Sequence, residues 1–244
     1  MVFHSQRGKG VRVRRRGAWL LVLALPIMVF GLRAWLSAAE GELGSSRGDC
    51  LILDDFGKAK VGEQPPDWKL RKDSGKGVYS VQDEGGRRFL HAASRGIGIQ
   101  LAKQHEWDLK AFPVLAWSWR AVEFPKGSDE RESKTNDSVL SVYMLVPYSQ
   151  IRGPKAVKYI WSERVPVGSH LTSNVGLTQV QVLRSGTEKK GEWIEERVNV
   201  RDDFMKFFNE KEVPKPAGLA VLTDSDDTNS SAQGDYANFR ACRN

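Results

Sequence analysis

The chain has 244 residues, of which 37 are Lys or Arg and 30 are Asp or Glu, for a formal net charge of +7 at pH 7. The excess positive charge lies in residues 1–39, which hold seven basic and no acidic side chains, so the rest of the chain is formally neutral and its charge does not favour nucleic-acid binding. The sequence contains no P-loop, dinucleotide fingerprint, G-x-S-x-G elbow, C-x-x-C pair or H-E-x-x-H zinc motif, so none of the enzyme classes that these motifs mark is indicated.

The first 39 residues have the pattern of an export signal. An arginine cluster at positions 12–16 precedes sixteen uncharged residues, 17–32, and the small-residue run LSAAEG follows, with cleavage predicted near Ala39. The apolar stretch is shorter than the roughly 18 residues expected of a membrane span, which favours a cleaved signal peptide over an uncleaved signal anchor. We therefore expect a periplasmic or secreted protein, held at the inner membrane if the signal is retained, with a flexible lead-in at residues 40–49.

Residues 50–244 form a single predicted domain made of short strands. Apolar and polar residues alternate in twelve segments that are bounded by Gly, Pro, Asp and Asn. The segments are CLILDDF, DWKLRK, GVYSVQ, RRFLHA, IGIQLAK, FPVLAWSWRAV, DSVLSVYMLVP, KAVKYIWSE, GLTQVQVLR, EWIEERVNV, AGLAVLT and GDYANFRAC. This pattern predicts an all-β, antiparallel β-sandwich rather than βαβ units. One short helix is predicted near 201–211, because Phe204, Phe207 and Phe208 share one helical face.

The two cysteines lie at opposite ends of this domain. Cys50 begins the first strand and Cys242 is three residues from the C-terminus. An oxidising compartment permits a disulfide between them, which would require the first and last strands to be neighbours. The alternative is two unpaired, small core residues.

Several blocks of the domain resemble a known family. In order they are FPVLAWSWR, GSDERESKTNDSVLSVYM, KYIWSERVPVG, SGTEKKGEWIEERVNVRDDF and GLAVLTDSDDTNSSAQGDYANF. They resemble the bacterial domain of unknown function 3047 family over about residues 50–240, a family that implies no assigned activity. The last block has Asn238 before its aromatic residue, where an acidic residue is expected. The segments LILDDF and GLAVLTDSDDT also resemble the first and last strands of galactose-binding-like modules, which implies a jelly-roll fold and a carbohydrate-binding ancestry.

The segment VLAWSWRAV offers a candidate sugar platform. The strand period of two places Trp117 and Trp119 on one face and Arg120 on the other. Two indoles on one face could stack against a sugar ring, whereas the alternative is that both fill the core. Arg120, as a candidate ligand-binding residue, needs a carboxylate partner if it is covered.

The strand EWIEERVNV carries one carboxylate on an otherwise apolar face. Glu196 shares that face with Ile194 and Val198. Such a group is either paired with a cation, with Arg120 and Arg131 as the candidates, or is a general acid in a cleft. Glu196 is therefore our candidate acid catalyst if the protein is an enzyme.

The loop GSDERESKTNDS precedes a strong strand. Its mixed charges fit a solvated connection, but loops at the end of a sandwich also display binding groups. On the second interpretation Asp129, Arg131 and Asp137 line a polar site.

The stretch LAVLTDSDDT places three carboxylates just beyond a strand. Asp224, Asp226 and Asp227 are hard oxygen ligands of the kind that Ca²⁺ prefers, and Asp54 and Asp55 would complete the set if the terminal strands pair. The stretch is not an EF-hand loop, since it lacks the glycine and glutamate of that motif. A structural Ca²⁺ site competes with a polar turn and, less favoured, with catalysis by this cluster.

Three functions follow from these residues. The first is a non-catalytic module that binds a polysaccharide or another envelope component. The second is a glycan-active hydrolase or lyase that uses Glu196 with Asp129 or Asp224, and the third is a structural or interaction protein of the envelope. Exposed aromatics would favour the first, converging carboxylates the second, and an apolar patch without a cleft the third. The binding module is our first hypothesis, with no nucleic-acid partner and with membrane contact only through the N-terminal segment.

Overall fold

The computed structural model describes residues 49–244, which belong to one compact unit. The predicted signal segment, and all of the lead-in except Asp49, lie outside the described residues. Thirteen strands and one α-helix are present among the described residues. They are β1 (Cys50–Asp54), β2 (Trp68–Leu70), β3 (Tyr79–Glu84), β4 (Arg87–Arg95), β5 (Leu101–Gln104), β6 (Val114–Glu123), β7 (Leu140–Ser149), β8 (Gly153–Ser162), β9 (His170–Ser173), β10 (Thr178–Ser185), β11 (Ile194–Asn199), α1 (Val200–Phe208), β12 (Gly218–Leu222) and β13 (Ser231–Cys242). All twelve predicted strands are found, and the additional one, β9, is four residues long.

The strands form the two sheets of a jelly-roll sandwich, which confirms the predicted fold class. One sheet has six strands in the order β11-β6-β13-β4-β3, with β1 paired to β13. The other has seven strands in the order β2-β5-β12-β7-β8-β10-β9. Every pairing is antiparallel except that of β8 with β10, which is parallel because the added strand β9 lies between them in sequence.

The core lies between the two sheets and is rich in aromatic side chains. Trp117 and Trp119 from β6 pack edge to face, with ring centroids 5.3 Å apart. Across the sandwich they meet Tyr159 and Trp161 from β8, at 5.7 and 6.2 Å. Burying such large rings supplies much of the apolar area that stabilises the sandwich.

The disulfide predicted between Cys50 and Cys242 is present. The two residues are register partners, with Cα atoms 4.0 Å apart, because β1 pairs antiparallel with the end of β13. The first and last strands are therefore neighbours, as the cysteine positions required.

The sandwich has two distinct ends. The short connection 96–100 joins the end of β4 to the start of β5, which fixes the alignment of the two sheets. The acidic end holds this connection together with the loops that follow β6, β8 and β12. The terminal end holds the disulfide, the β7–β8 hairpin tip, helix α1 and the start of β12.

Helix α1 begins and ends at asparagines. The Asn199 side chain accepts a hydrogen bond from the Asp202 N–H, and Asn209 takes the left-handed conformation that ends the helix at Phe208. The helix thus ends three residues before the predicted limit. Phe204 is buried, while Phe207 and Phe208 are half-buried beside it. No helix among residues 49–244 has the length and apolar character needed to cross a membrane.

Candidate functional site

Three carboxylates meet at the acidic end. Asp137, Asp224 and Asp226 each place an oxygen within 4.8 Å of the others. Asp224 follows β12, while Asp137 ends the loop before β7, so two sequence-distant loops supply the group. This acidic cluster joins two of the predicted metal-binding residues to a residue that was predicted only to bind a ligand.

Backbone hydrogen bonds hold the acidic cluster in place. The Ser138 N–H donates to Asp224 Oδ1 at 2.7 Å. Asp137 accepts from the N–H groups of Asp227 and Thr228, at 3.2 and 2.8 Å, and so fixes the turn that follows Asp226. The turn is therefore a polar structure whose backbone is held by a carboxylate from a distant loop, as well as part of a cluster of carboxylates.

Gly98 packs against the acidic cluster, where the absence of a side chain leaves room for Asp224 and Asp226. A Cβ atom at position 98 would lie 2.3 Å from Asp226 Oδ1 and 3.2 Å from Asp224 Cβ. Any other residue there would displace the Asp226 carboxylate. The 96–100 connection therefore forms one wall of the cluster.

A second polar group lies next to the cluster on the outer face of the seven-stranded sheet. Lys158 on β8 and Tyr143 on β7 are register partners, and each is more than 90% buried. Glu130 reaches this face from the loop after β6 and accepts hydrogen bonds from the hydroxyls of Ser138 and Ser162. Ser138 therefore contacts both carboxylates, with its N–H on Asp224 and its hydroxyl on Glu130. We call Glu130, Tyr143, Lys158 and Asp224 the polar site.

The buried Lys158 ammonium differs from two other covered lysines of the described chain. Lys103 and Lys155 form direct ion pairs with Asp54 and Glu210, but none of the ion pairs among residues 49–244 includes Lys158. Lys158 instead faces the Tyr143 phenol and the Asp224 and Glu130 carboxyls. The neighbouring Ser141 hydroxyl is buried without a hydrogen-bond partner among the described residues, and such a group is usually completed by a bound molecule or by water.

Burial raises the pKa values of both carboxyls of the polar site. It raises the pKa of Asp224 to about 7; the Lys158 ammonium and the Ser138 N–H oppose this shift, while Asp137 and Asp226 add to it. Burial also raises the pKa of Glu130, against the hydrogen bond from Ser162. Burial disfavours the charged form of Lys158, but Tyr143, Asp224 and Glu130 outweigh it and raise the pKa of the ammonium. Asp224, with a pKa of about 7, is therefore a group that can exchange a proton near neutral pH.

A cleft of about 640 Å³ lies at the acidic end, lined by residues at the end of β6 and at the start of β13. Phe124, Lys126, Asn229 and Gln233 are among its lining residues. A chain of hydrogen bonds connects it to the cluster, from Asp137 through the Thr228 and Ser230 hydroxyls to the Lys126 N–H. The acidic end therefore combines an open polar cleft with buried charged groups.

The other predicted metal ligands lie elsewhere. Asp54 accepts hydrogen bonds from the Trp68 indole and Lys103, and Asp55 caps Gly57 on the surface. Asp54 pairs with Phe239, which lies eight residues along β13 from the first residue of that strand. Asp54 is therefore roughly 25 Å from the acidic end. The terminal strands do pair, but their paired region is at the opposite end of the sandwich, so including Asp54 and Asp55 in the site was wrong. Asp227 contributes its N–H to Asp137 and is not part of the acidic cluster.

The interpretation of Trp117 and Trp119 as a sugar platform was also wrong. Both indoles are fully buried between the sheets, where no ligand can stack on them. The face shared by the two residues was predicted correctly, but it is the core face. Arg120, on the opposite face, has the carboxylate partner that was expected, since its Nε donates to buried Asp235 at 2.7 Å.

Glu196 is an ion-paired core residue and not a free acid. It accepts hydrogen bonds from Arg184 on β10 and from the Trp119 indole, and so links the two sheets. The predicted partners Arg120 and Arg131 are both engaged with other carboxylates. Both Glu196 oxygens are occupied, so its nomination as the acid catalyst is corrected.

The predicted loop residues separate into two groups. Asp129 and Arg131 form a local ion pair, and the Arg131 guanidinium lowers the pKa of Asp129 to about 2. This pair fits a solvated connection. Asp137, six residues after Arg131, is the loop residue that belongs to the acidic cluster.

Sequence reasoning missed Glu130, Tyr143 and Lys158 as site residues. A usable signal was present for Lys158, because the strand period places it on one face with Ala156 and Ile160. A lysine on an otherwise apolar strand face, like Glu196 on β11, is expected either to be paired with an opposite charge or to belong to a site. Glu130 had no such signal, since its role depends on the path of a long loop.

A family model, "Protein of unknown function (DUF3047)", matches residues 66–240. The chain belongs to this family. The match covers β2 to most of β13, and therefore the acidic cluster and the polar site. No curated protein matches the chain.

Several solved structures are similar to this fold at low sequence identity. The carbohydrate recognition domain of Emp47p is 11% identical, with a TM-score of 0.43, and the match covers 82% of this chain and 99% of that one. A cellulase derived from Cel12A of Rhodothermus marinus is 9% identical, with a TM-score of 0.39 and coverage of 71% and 94%. A family 11 xylanase from Neocallimastix patriciarum is 12% identical, with a TM-score of 0.35 and coverage of 73% and 95%.

Proposed function

We propose that this domain binds a polysaccharide of the cell envelope at its acidic end. The observation that supports this most directly is the convergence of Glu130, Asp224 and Lys158 on one buried face, with Lys158 outside any ion pair among the described residues. Buried charged groups are costly unless they are paired or hydrogen-bonded, and sugar hydroxyls would add hydrogen bonds to those that Ser138, Ser162 and Tyr143 already supply.

Sugar hydroxyls match this set of groups. Each hydroxyl both donates and accepts hydrogen bonds, so carboxylates can accept from it while an ammonium or phenol donates to it. The polar site supplies two carboxyls, one ammonium and the Tyr143 phenol within one small area. Hydrogen bonds to charged groups are stronger than neutral ones, so few contacts are needed for specificity.

A glycan-active hydrolase or lyase is the second candidate. Two carboxyls now converge, although they are Glu130 and Asp224 rather than Glu196 with a partner. A carboxyl with a pKa of about 7 can deliver or remove a proton at neutral pH. Binding is common to both candidates, and catalysis would use the same residues.

Glycan binding can be tested with one variant and its matched control. Lys158→Met removes the ammonium of the polar site, while Lys155→Met removes a lysine of the same strand at the terminal end. Binding is measured on a glycan array and then by calorimetry with the polysaccharide that scores highest. We expect Lys158→Met to weaken binding tenfold or more, as the loss of a charged hydrogen bond requires, and Lys155→Met to leave it unchanged. Equal affinities in the two variants would remove the polar site from the proposal.

Catalysis is tested on the same polysaccharide. Release of new reducing ends or of unsaturated products by the wild type, with turnover lost in Asp224→Asn while binding persists, would establish the enzyme. Binding without any product would leave the non-catalytic module.

We also propose export through the N-terminal segment. The arginine cluster, the apolar residues 17–32 and the small-residue run support this proposal. The mass of the protein recovered from the bacterial envelope gives the test. A mature chain that begins near Glu40 fits a cleaved signal, a full-length membrane-bound chain fits an anchor, and a full-length cytoplasmic chain contradicts export.

A further inference from the structure

Exposed apolar side chains are concentrated at the terminal end. Ile151 is 97% exposed and Val175 is 91% exposed, and Tyr148 is half-exposed beside Ile151. Leu51 and Ile52 on β1 are exposed as well. These are five of the seven large apolar side chains that are exposed among residues 49–244, so their distribution is strongly one-sided.

These side chains project from separate loops that strand pairing places side by side. Ile151 is at the tip of the β7–β8 hairpin, between Ser149 and Gly153. Val175 lies in the turn before β10, whose first residue pairs with Ala156 near the start of β8. Isolated apolar side chains on loop tips do not form a flat protein–protein patch, but they suit shallow insertion into a lipid interface.

Basic side chains flank Tyr148 near the tip of the β7–β8 hairpin. The Tyr148 ring lies under the Lys155 ammonium, at 4.7 Å, and near the Arg152 guanidinium, at 5.8 Å. Lys155 is ion-paired with Glu210, so Arg152 is the cation beside this ring that is left for a lipid phosphate. A tyrosine beside a cation is typical of the membrane interface, where the ring lies among the head groups.

A groove of about 490 Å³ extends the basic surface at this end. Lys110, Arg201, Lys211 and Lys215 line it, against the two carboxylates of Asp108 and Glu212. Arg201 lies next to the disulfide end of the six-stranded sheet, since its N–H donates to Pro113 O. The groove is therefore close to the place where the described chain begins at Asp49.

We propose that the terminal end docks on an anionic lipid bilayer, with Ile151, Val175 and Tyr148 entering the head-group layer and the lysines of the groove contacting lipid phosphates. Charge complementarity and apolar tips on the same end both favour this occupant. In the sequence only residues 33–49 separate Cys50 from the apolar stretch 17–32, so a chain that keeps this stretch has the domain within reach of the bilayer. Docking orients the acidic end, with its polar site, away from the lipid. This contact is additional to the N-terminal segment and does not depend on the proposed glycan binding.

The experiment uses the full chain in vesicles and a polarity-sensitive fluorophore. The only two native cysteines form the disulfide, so a single cysteine introduced by Ile151→Cys or Val175→Cys can be labelled selectively. Val167→Cys is the matched control, because Val167 is also exposed but lies in the loop after β8, at the acidic end. We expect blue-shifted emission and quenching by nitroxide lipids at 151 and 175 in vesicles that contain phosphatidylglycerol, and neither effect at 167.

Charge variants and neutral vesicles distinguish lipid docking from self-association of the chain. Lys211→Gln and Lys215→Gln should each lower the docking equilibrium constant by about fivefold, while neutral phosphatidylcholine vesicles should give little docking. Equal signals at positions 151, 175 and 167 would overturn the proposal. A blue shift that depends on protein concentration and not on lipid would also overturn it, because the patch would then join two copies of the chain.

Discussion

Replacing Asp224 by Asn should stabilise the protein at neutral and alkaline pH. The Asp224 carboxyl is 7% exposed, and burial raises its pKa to about 7, from the ordinary value of 3.8. The folded state therefore holds this proton more tightly than the unfolded state does. At pH values between these two pKa values, Asp224 is ionised in the unfolded chain but still protonated in the folded protein. The free energy of unfolding therefore falls as the pH rises through this range.

The size of the effect follows from the two pKa values. A difference of about three pKa units corresponds to about 4 kcal/mol of lost stability once the pH is above 7. Between pH 5 and pH 8 the loss amounts to about 2.5 kcal/mol, since part of it has already occurred at pH 5. Asparagine has no such titration, although it gives up the charge of the hydrogen bond from the Ser138 N–H, which offsets about 1 kcal/mol.

Urea unfolding of both proteins at several pH values measures this difference. The wild type should lose about 2.5 kcal/mol relative to Asp224→Asn between pH 5 and pH 8, and the variant should be the more stable protein at pH 8. Asp73→Asn is the control, because Asp73 is an exposed carboxylate whose ion-pair partner among the described residues is the exposed Lys76, so this substitution should change the free energy of unfolding by less than about 1 kcal/mol. Parallel profiles for the wild type and Asp224→Asn would refute the argument, because they would mean that Asp224 is ionised in the folded state at no cost.

Three further outcomes are expected. Reduction of the Cys50–Cys242 disulfide should lower the free energy of unfolding by up to about 5 kcal/mol, because the bond spans a sequence separation of 192; urea curves with and without reductant measure this, and unchanged curves would contradict it. Trp117→Ala should cost about 3 to 5 kcal/mol by the same assay and leave glycan affinity unchanged, since the indole is fully buried; a selective loss of affinity would return the residue to the binding site. Ca²⁺ at the acidic cluster remains a prediction: added Ca²⁺ should raise the melting temperature of the wild type but not of Asp226→Asn, and an equal response of the two proteins would count against the site.

Local patterns were sufficient for the elements of this fold. The period of two identified twelve strands, placed Trp117 and Trp119 on one face, and placed Glu196 with Ile194 and Val198 on another strand's apolar face; the structure shows that these faces are the inner ones. The predicted compartment and the cysteine positions favoured the disulfide over two unpaired cysteines, and the pairing of β1 with β13 confirms it. The strands depend on side chains that are close in sequence, and the disulfide depends on the chemistry of two cysteines.

The composition of the site depends on loops that meet only in the folded domain. Asp224 and Asp226 were recognised as a local cluster, but Asp137, Glu130 and Lys158 come from other strands and loops. The pairing of β1 with β13 was predicted correctly, yet it removed Asp54 and Asp55 from the site, because the paired region lies at the other end of the sheet.

The sequence by itself determined the strand pattern and which residues share a strand face, and it favoured the disulfide, because alternation and cysteine chemistry act locally or between two residues. Only the tertiary structure decided that the inward tryptophans are core, that Glu196 is neutralised by Arg184, and that Asp224 shares a buried site with Glu130 and Lys158. Burial and ion pairing are properties of the whole packed molecule, and they set the free energy needed to keep each side chain ionised. For that reason the same residue type, a carboxylate beside an apolar strand, became an ion-paired core residue on β11 and a group with a pKa near neutrality after β12.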